Sequence, residues 1–253
     1  MPLLEVRDLS VRFGGVVALD RVSFSVEPGE VVALIGPNGA GKTTLFNVVT
    51  RVYRPSGGSV MVDGRPIASM RPHDLVRQGV ARTFQNVALF RSMTVLDNVL
   101  VGAHTKMRTT WIESAVQLPT ASRAESQLRE KAMQMVELVG LASVADRPVA
   151  ILPFGTQKLV ELARALASSP RLVLLDEPAG GISLHEVDAT GALLRRIRKE
   201  LGLTMLLVEH HMNFVMGISD RVVVLDFGKK IAEGSPAEVQ RNKAVIEAYL
   251  GAA

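Results

Sequence analysis

The chain has 253 residues, 47% of them hydrophobic and 21% charged; that apolar share excludes global disorder and is enough for one sizeable core or two lobes sharing one. Lys and Arg number 29 against 25 Asp and Glu, a net charge of +4. This is too small an excess to argue a nucleic-acid binder on charge alone, although a sequence pI of about 9.6 suits a surface facing anionic lipid or phosphate. With no cysteine, disulfides, a thiol nucleophile and Cys-ligated zinc or iron–sulfur centres are excluded.

The first thirty residues alternate in polarity. Leu4, Val6, Leu9, Val11 and Phe13 form one two-residue pattern and Val22, Phe24 and Val26 a second, broken by Gly14-Gly15, which predicts two half-buried antiparallel strands. After the Pro28-Gly29 turn, Val31–Ile35 is a continuous apolar run, as expected of a parallel strand buried on both faces. Similar runs recur at Leu172–Leu175, Leu203–Val208 and Val222–Leu225. Between them, Leu159, Leu162, Ala163 and Leu166 fit one helix, and Val187, Leu194 and Ile197 another, opened by a Ser183/Glu186 capping box.

Strands alternating with helices make the terminal thirds α/β. The middle differs: from about Val95 to Val149 there is no strand-like run, and Leu128, Ala132, Met135, Val136 and Val139 form an apolar helical stripe. Arg123, Glu125, Arg129, Glu130 and Lys131 read as its solvated face. Thr105–Thr120, with Trp111 and Pro119, is irregular and reads as an exposed loop or partner surface. No run approaches the roughly 18 apolar residues of a membrane span. Met1–Asp8 lacks the basic and apolar regions of a secretory signal, so the expectation is a soluble, cytoplasmic chain.

Gly36-Pro37-Asn38-Gly39-Ala40-Gly41-Lys42-Thr43, followed by Thr44, fits G-x-x-x-x-G-K-[ST] between an apolar strand and a helix start. Glycines at 36, 39 and 41 let the backbone wrap so that several N–H groups converge on one anion, and the helix adds its positive end. Lys42 supplies a point charge to the β- and γ-phosphates, and the Thr43 hydroxyl is a Mg²⁺ ligand. The loop is read as binding a nucleoside triphosphate. Arg171–Pro178 is a buried strand ending in Asp176 and Glu177. Carboxylates there stand where parallel sheets bind ligand, Asp176 placed to hold Mg²⁺ through water and Glu177 to polarise an attacking water.

With Gln85 after a predicted strand, Asp176-Glu177-Pro178, and His210 after the strand Leu203–Val208, the chain resembles the ATPase subunits of ABC transporters over nearly its whole length. Glu177-Pro178-Ala179-Gly180-Gly181, Glu209-His210-His211-Met212 and Gly217-Ile218-Ser219-Asp220-Arg221 resemble the branched-chain amino-acid importer branch. The resemblance implies a P-loop NTPase core of α/β class with an antiparallel β subdomain and an α-helical insertion. The nucleotide-binding core would take 1–87 and 160–253, and the helical subdomain 88–159.

The same resemblance implies that Phe13 stacks on adenine, that Gln85 contacts Mg²⁺ and the attacking water, and that His210 reaches the γ-phosphate. His211, its immediate neighbour, is expected to point elsewhere. Leu152-Pro153-Phe154-Gly155-Thr156-Gln157 stands where the family carries its Leu-Ser-Gly-Gly-Gln signature, which contacts the nucleotide of the opposite subunit. Pro153 brings neither hydroxyl nor N–H, leaving Gly155 and a helix N-terminus to hold an anion. Ser183 stands where the family places Asp or Asn between subunits, and helix capping is an equal reading of it.

The implied ligands are ATP and Mg²⁺. The implied partners are a second ATPase subunit, integral-membrane permeases and, indirectly, a substrate-binding protein, at the cytoplasmic face of the membrane and with no nucleic acid. Three other readings stay open. One is an exporter of lipid or polysaccharide. Another is an ABC ATPase acting on nucleic acid or ribosomes, which the lack of a strongly basic tract and of a second cassette opposes. The third is a regulatory module that binds ATP without turnover.

Overall fold

The computed structural model describes residues 1–83, 87–104 and 119–250. Along the chain, β1 (Leu4–Phe13), β2 (Val16–Val26), β3 (Val31–Ile35), α1 (Lys42–Val49), β4 (Gly57–Val62), β5 (Arg65–Pro66), α2 (Pro72–Arg77) and β6 (Val80–Arg82) come first. Then follow α3 (Val95–Ala103), α4 (Pro119–Leu138) and α5 (Phe154–Ala167). The chain ends with β7 (Leu172–Asp176), α6 (Leu184–Leu201), β8 (Thr204–Val208), α7 (Met212–Ile218), β9 (Arg221–Asp226), β10 (Lys229–Gly234), α8 (Pro236–Arg241) and α9 (Lys243–Leu250). These elements fall into two units, Met1–Arg82 with Arg171–Ala253, and Thr83–Pro170.

The first unit holds two sheets. The alternating N-terminal segments pair antiparallel as β1 and β2, Leu4 opposite Val26 and Phe13 opposite Val16, with Leu4, Val6, Leu9 and Val11 buried. Strand β4 pairs with the other edge of β1 and β5 with β4, giving the order β2-β1-β4-β5. The second sheet runs β10-β9-β3-β8-β7-β6. All its neighbours are parallel except β10 on β9. Every residue of β3, β7 and β8 is buried, which is why these strands read as unbroken apolar runs. Leu34 lies opposite Val208, and Val208 opposite Asp176. The carboxyl ends of β3, β8 and β7 therefore finish level along one edge.

In the second unit α3, α4 and α5 pack on one another. The expected stripe buries Ala132, Val136 and Val139, and Glu125, Arg129, Glu130 and Lys131 are exposed. Thr94 caps α3 by accepting from the Asp97 N–H at 3.1 Å. Buried Asn98 accepts from the Phe90 N–H at 2.8 Å and donates to the Thr94 carbonyl at 2.9 Å, tying the preceding loop to the helix. The helical subdomain was expected to end at 159, but the second unit extends to Pro170. The reason is that α5 runs unbroken to Ala167 and its apolar face packs on α3 and α4. Trp111 and most of the expected irregular segment lie outside the described residues.

Candidate active site

The segment between β3 and α1 is the glycine-rich loop. At Gly36, with φ +150°, a Cβ would come within 2.1 Å of the Leu225 carbonyl, and at Gly41, with φ +101°, within 2.6 Å of the Ala18 carbonyl; both positions need glycine for space and for a positive φ that other residues rarely adopt. The Gly228 N–H at the β9–β10 turn donates to the Ala40 carbonyl at 3.1 Å, bracing the loop from behind. Lys42 Nζ folds back and donates to the carbonyls of Gly36 at 2.6 Å and Pro37 at 2.8 Å. Burial pushes its ammonium below the ordinary lysine value, and the charge of Glu177 pulls the other way. Thr43 and Thr44 lie in the first turn of α1, which holds no acidic side chain to compete with an incoming anion.

Asp176 ends β7, buried, and accepts from Arg82 Nη2 at 2.7 Å. Arg82 ends β6 and also donates to Asn47 Oδ1 at 2.8 Å and Thr50 Oγ1 at 3.0 Å, joining two strand ends to α1. Glu177 follows at φ +49°, a conformation uncommon away from glycine and frequent at functional positions. It is held by its N–H to the Val208 carbonyl at 2.9 Å and by the Gly180 N–H to its own carbonyl at 3.0 Å. The Glu177 carboxylate lies 4.0 Å from His210 Nδ1. Lys42, Asp176, Glu177 and His210 are thus gathered at one sheet edge.

Glu209 is wholly buried. Its carboxylate accepts the backbone N–H groups of Ala179 at 2.7 Å, His210 at 2.9 Å and His211 at 3.2 Å, locking the turns after β7 and β8 together. The expectation that His211 points away from His210 is corrected: their ring centroids are 4.5 Å apart. The reason is that His211 is neither helical nor in a strand but caps α7 with φ −79° and ψ 95°. Glu209, His210 and His211 bring ligand atoms within 4.8 Å, yet three backbone donors already engage the carboxylate.

Phe13, at the end of β1, is 46% exposed, with Tyr53 edge-on at 5.2 Å. This leaves an aromatic surface open for stacking. The Tyr53 N–H donates to the Asn47 carbonyl at 3.0 Å, so the pair is tied to α1. In the second unit Pro153 is the N-cap of α5, and Phe154, Gly155 and Thr156 open that helix. Gln157 turns back, its Nε2 donating to the Leu152 carbonyl at 2.8 Å, and Lys158 Nζ lies 5.4 Å from the exposed Phe154 ring. Gln85 lies outside the described residues.

Ser183 begins α6, its N–H and hydroxyl both donating to Glu186 Oε2 at 2.8 and 2.6 Å, so the capping reading holds. Sequence reasoning missed Arg82, Glu209 and Tyr53. Arg82 closes an apolar strand, Val80-Ala81, with a charge, and Glu209 adjoins the buried run of β8. A charge at the end of a buried strand is the signal that could have found both.

Residues 19–180 match the ABC transporter family model, and residues 229–253 match that of the branched-chain amino acid ATP-binding cassette transporter. The high-affinity branched-chain amino acid transport ATP-binding protein BraF of Pseudomonas aeruginosa is 43% identical over 252 residues, covering 100% of this chain and 99% of that protein. LivG of Escherichia coli, of the same description, is 41% identical with the same coverage. An ATP-binding cassette of an ABC transporter, crystallised in its ADP conformation, superposes with a TM-score of 0.86 at 32% identity, covering 99% of both chains. The chain belongs to the ABC transporter family, as one of its ATPase cassettes.

Proposed function

We propose that this chain is the ATP-hydrolysing subunit of a membrane importer of branched-chain amino acids. The observation that carries the reading is the match over the whole chain to transport ATP-binding proteins of that class. The C-terminal match to the branched-chain cassette model supports it. Among the described residues no helix is long and apolar enough to cross a membrane. In this reading separate permease subunits supply the path for the amino acid, and this chain sits peripherally on their cytoplasmic side.

In this mechanism the backbone N–H groups of the loop Gly36–Thr44, Pro37 excepted, receive the phosphates of ATP, and Lys42 leaves the carbonyls of Gly36 and Pro37 for the β- and γ-oxygens. Phe13 supports the adenine. Glu177 orients water for in-line attack and accepts its proton, while His210 donates to the γ-phosphoryl oxygens as charge spreads over them. The oxygen donors of Thr43 and Asp176 suit Mg²⁺, and Gln85 is assigned to the same ion. When bound, Mg²⁺ neutralises charge on the β- and γ-phosphates. Two such subunits would close over two ATP, each offering Gly155 and the start of α5 to the other's nucleotide. Hydrolysis would then release them.

The test is made in the native cell. Tagged chain is recovered from solubilised membranes, and leucine, isoleucine and valine uptake is measured with and without the gene. Co-recovery of multi-span permeases and loss of that uptake are expected. Recovery with ribosomes or an export complex, or unchanged uptake, would overturn the importer reading.

A further inference from the structure

Among the described residues, Glu209, His210 and His211 are the one group of three metal-ligating side chains whose donor atoms converge, all within 4.8 Å of one another. Hydrolysis of ATP as outlined above draws on His210 and leaves His211 without a part. The two imidazoles lie with ring centroids 4.5 Å apart and planes tilted by 34°. His210 Nδ1 stands 3.9 Å from Glu209 Oε2 and 4.0 Å from Glu177 Oε1, too far for hydrogen bonds. His210 is exposed, and His211 lines a cavity of about 380 Å³ with Asp188, Asn213 and Phe214, so both rings are reached from solvent.

The donor set has the chemistry and nearly the spacing of a site for zinc. Two imidazoles with a carboxylate suit Zn²⁺, Co²⁺ and Ni²⁺, whereas Mg²⁺ prefers oxygen ligands. At bond lengths of about 2.0–2.1 Å the ligand atoms on a tetrahedral ion stand about 3.3 Å apart, so the 3.9 Å gap between His210 and Glu209 closes with a shift of roughly 0.6 Å. Rotation of the exposed His210 ring supplies it. The backbone N–H groups on Glu209 do not exclude it as a ligand. A carboxylate offers about four lone-pair positions, and N–H groups fill three of them here; carboxylates that ligate metals are held by outer partners in just this way. The same hydrogen bonds fix the backbone of His210 and His211 before an ion arrives, which lowers the entropy cost of binding. Water completes the coordination.

We propose that Glu209, His210 and His211 form an inhibitory site for a divalent transition ion of the zinc class. An ion held there occupies the His210 ring that would serve the γ-phosphate, and sets positive charge beside the Glu177 carboxylate, weakening it as a base. Binding of the ion stands on the geometry alone. Its inhibitory effect rests on the reading that His210 and Glu177 act in ATP hydrolysis.

The experiment compares the full untagged chain with His211→Phe, which keeps a ring beside His210 but cannot ligate, and with His211→Ala. Co²⁺ is titrated into the nucleotide-free protein and followed by its visible absorption, and MgATP hydrolysis is measured in excess Mg²⁺ with rising Zn²⁺. The parent is expected to bind one Co²⁺ with the spectrum of a nitrogen-ligated ion, and Zn²⁺ to inhibit it. Both variants should bind at least about tenfold more weakly, since even changes outside the ligand shell cost that much. They should also need at least about tenfold more Zn²⁺ for the same inhibition, with zinc-free kcat within about twofold of the parent. No Co²⁺ spectrum in the parent, or one unchanged in both variants, would overturn the site. Equal inhibition of parent and variants would place the zinc on ATP and overturn the inhibitory role. So would Co²⁺ bound at the site without inhibition by Zn²⁺, a result that also counts against His210 and Glu177 as hydrolytic groups. A parent that hydrolyses no MgATP would remove the functional reading and the inhibition with it, and the Co²⁺ spectrum would still decide the metal site.

Discussion

At the scale of single residues, Lys42 carries a cost in the nucleotide-free protein. It is half-buried, and desolvation lowers its pKa from 10.5 despite the opposing charge of Glu177. For a base with a depressed pKa the folded state binds its proton less readily than the unfolded state. Stability therefore rises with pH between the lowered value and 10.5, and below that window the penalty is present in full. Lys42→Met removes both the charge and the penalty. The expected outcome is a variant no less stable than the parent in urea at pH 8, with a flatter rise in stability as the pH climbs towards 10.5 and no measurable nucleotide binding. A variant that is less stable and keeps the full rise would contradict this account. Lys42 was legible in the sequence because spacing defines its motif, and the Asp176-Glu177 pair because it follows a run buried on both faces. Arg82 was not, because its partners Asp176, Asn47 and Thr50 are brought to it only by the strand order.

At the scale of elements, the turns after β7 and β8 depend on Glu209. Its carboxylate replaces solvent for three backbone N–H groups and so fixes the backbone that presents Glu177 and His210. In Glu209→Gln one oxygen becomes a donor facing other donors. Ala179 is wholly buried, so its N–H bears the full cost, while those of His210 and His211, whose residues are only partly covered, recover part of theirs from water. The expected loss is about 2–4 kcal/mol, read from denaturant midpoints. His210→Ala, at a side chain 54% exposed, should cost no more than about 0.5 kcal/mol while impairing turnover. Equal destabilisation by the two would show that Glu209 does not carry the turns.

The elements themselves were legible in proportion to their burial. The strands β3, β7, β8 and β9 announced themselves as apolar runs, and the first hairpin as alternation. Three strands did not. Strand β4 opens on Gly-Gly-Ser and buries only Val60 and Val62, and β5 has two residues, both exposed. Strand β10 is an edge strand of Lys, Lys, Ile, Ala, Glu and Gly, whose polar residues suit an exposed edge and hide its periodicity.

At the scale of the whole molecule, the proposed cycle requires a second copy or a close relative, because the start of α5 is assigned to the other subunit's nucleotide. The family signature places a serine hydroxyl there, and this chain has Pro153 and Phe154. What remains is the backbone at the first turn of α5, which attracts anions through its N–H groups and the helix dipole. That contact is worth less than one including a hydroxyl, so closure should depend more on the charge ATP brings and weaken as salt screens it. Hydrolysis must be blocked to observe it. Glu177→Gln is expected to bind ATP while losing at least about 100-fold in turnover, and near-normal hydrolysis would refute the role of Glu177. In that background, sedimentation with MgATP should give twice the monomer mass at low salt and less at high salt, and MgADP should leave the monomer. Adding Gly155→Glu sets a like charge against the incoming phosphates. It should abolish the ATP-dependent dimer while leaving the monomer's Kd for MgADP unchanged, since the phosphate loop of each subunit is untouched. A dimer that survives Gly155→Glu would place the second subunit's anion contact elsewhere than α5.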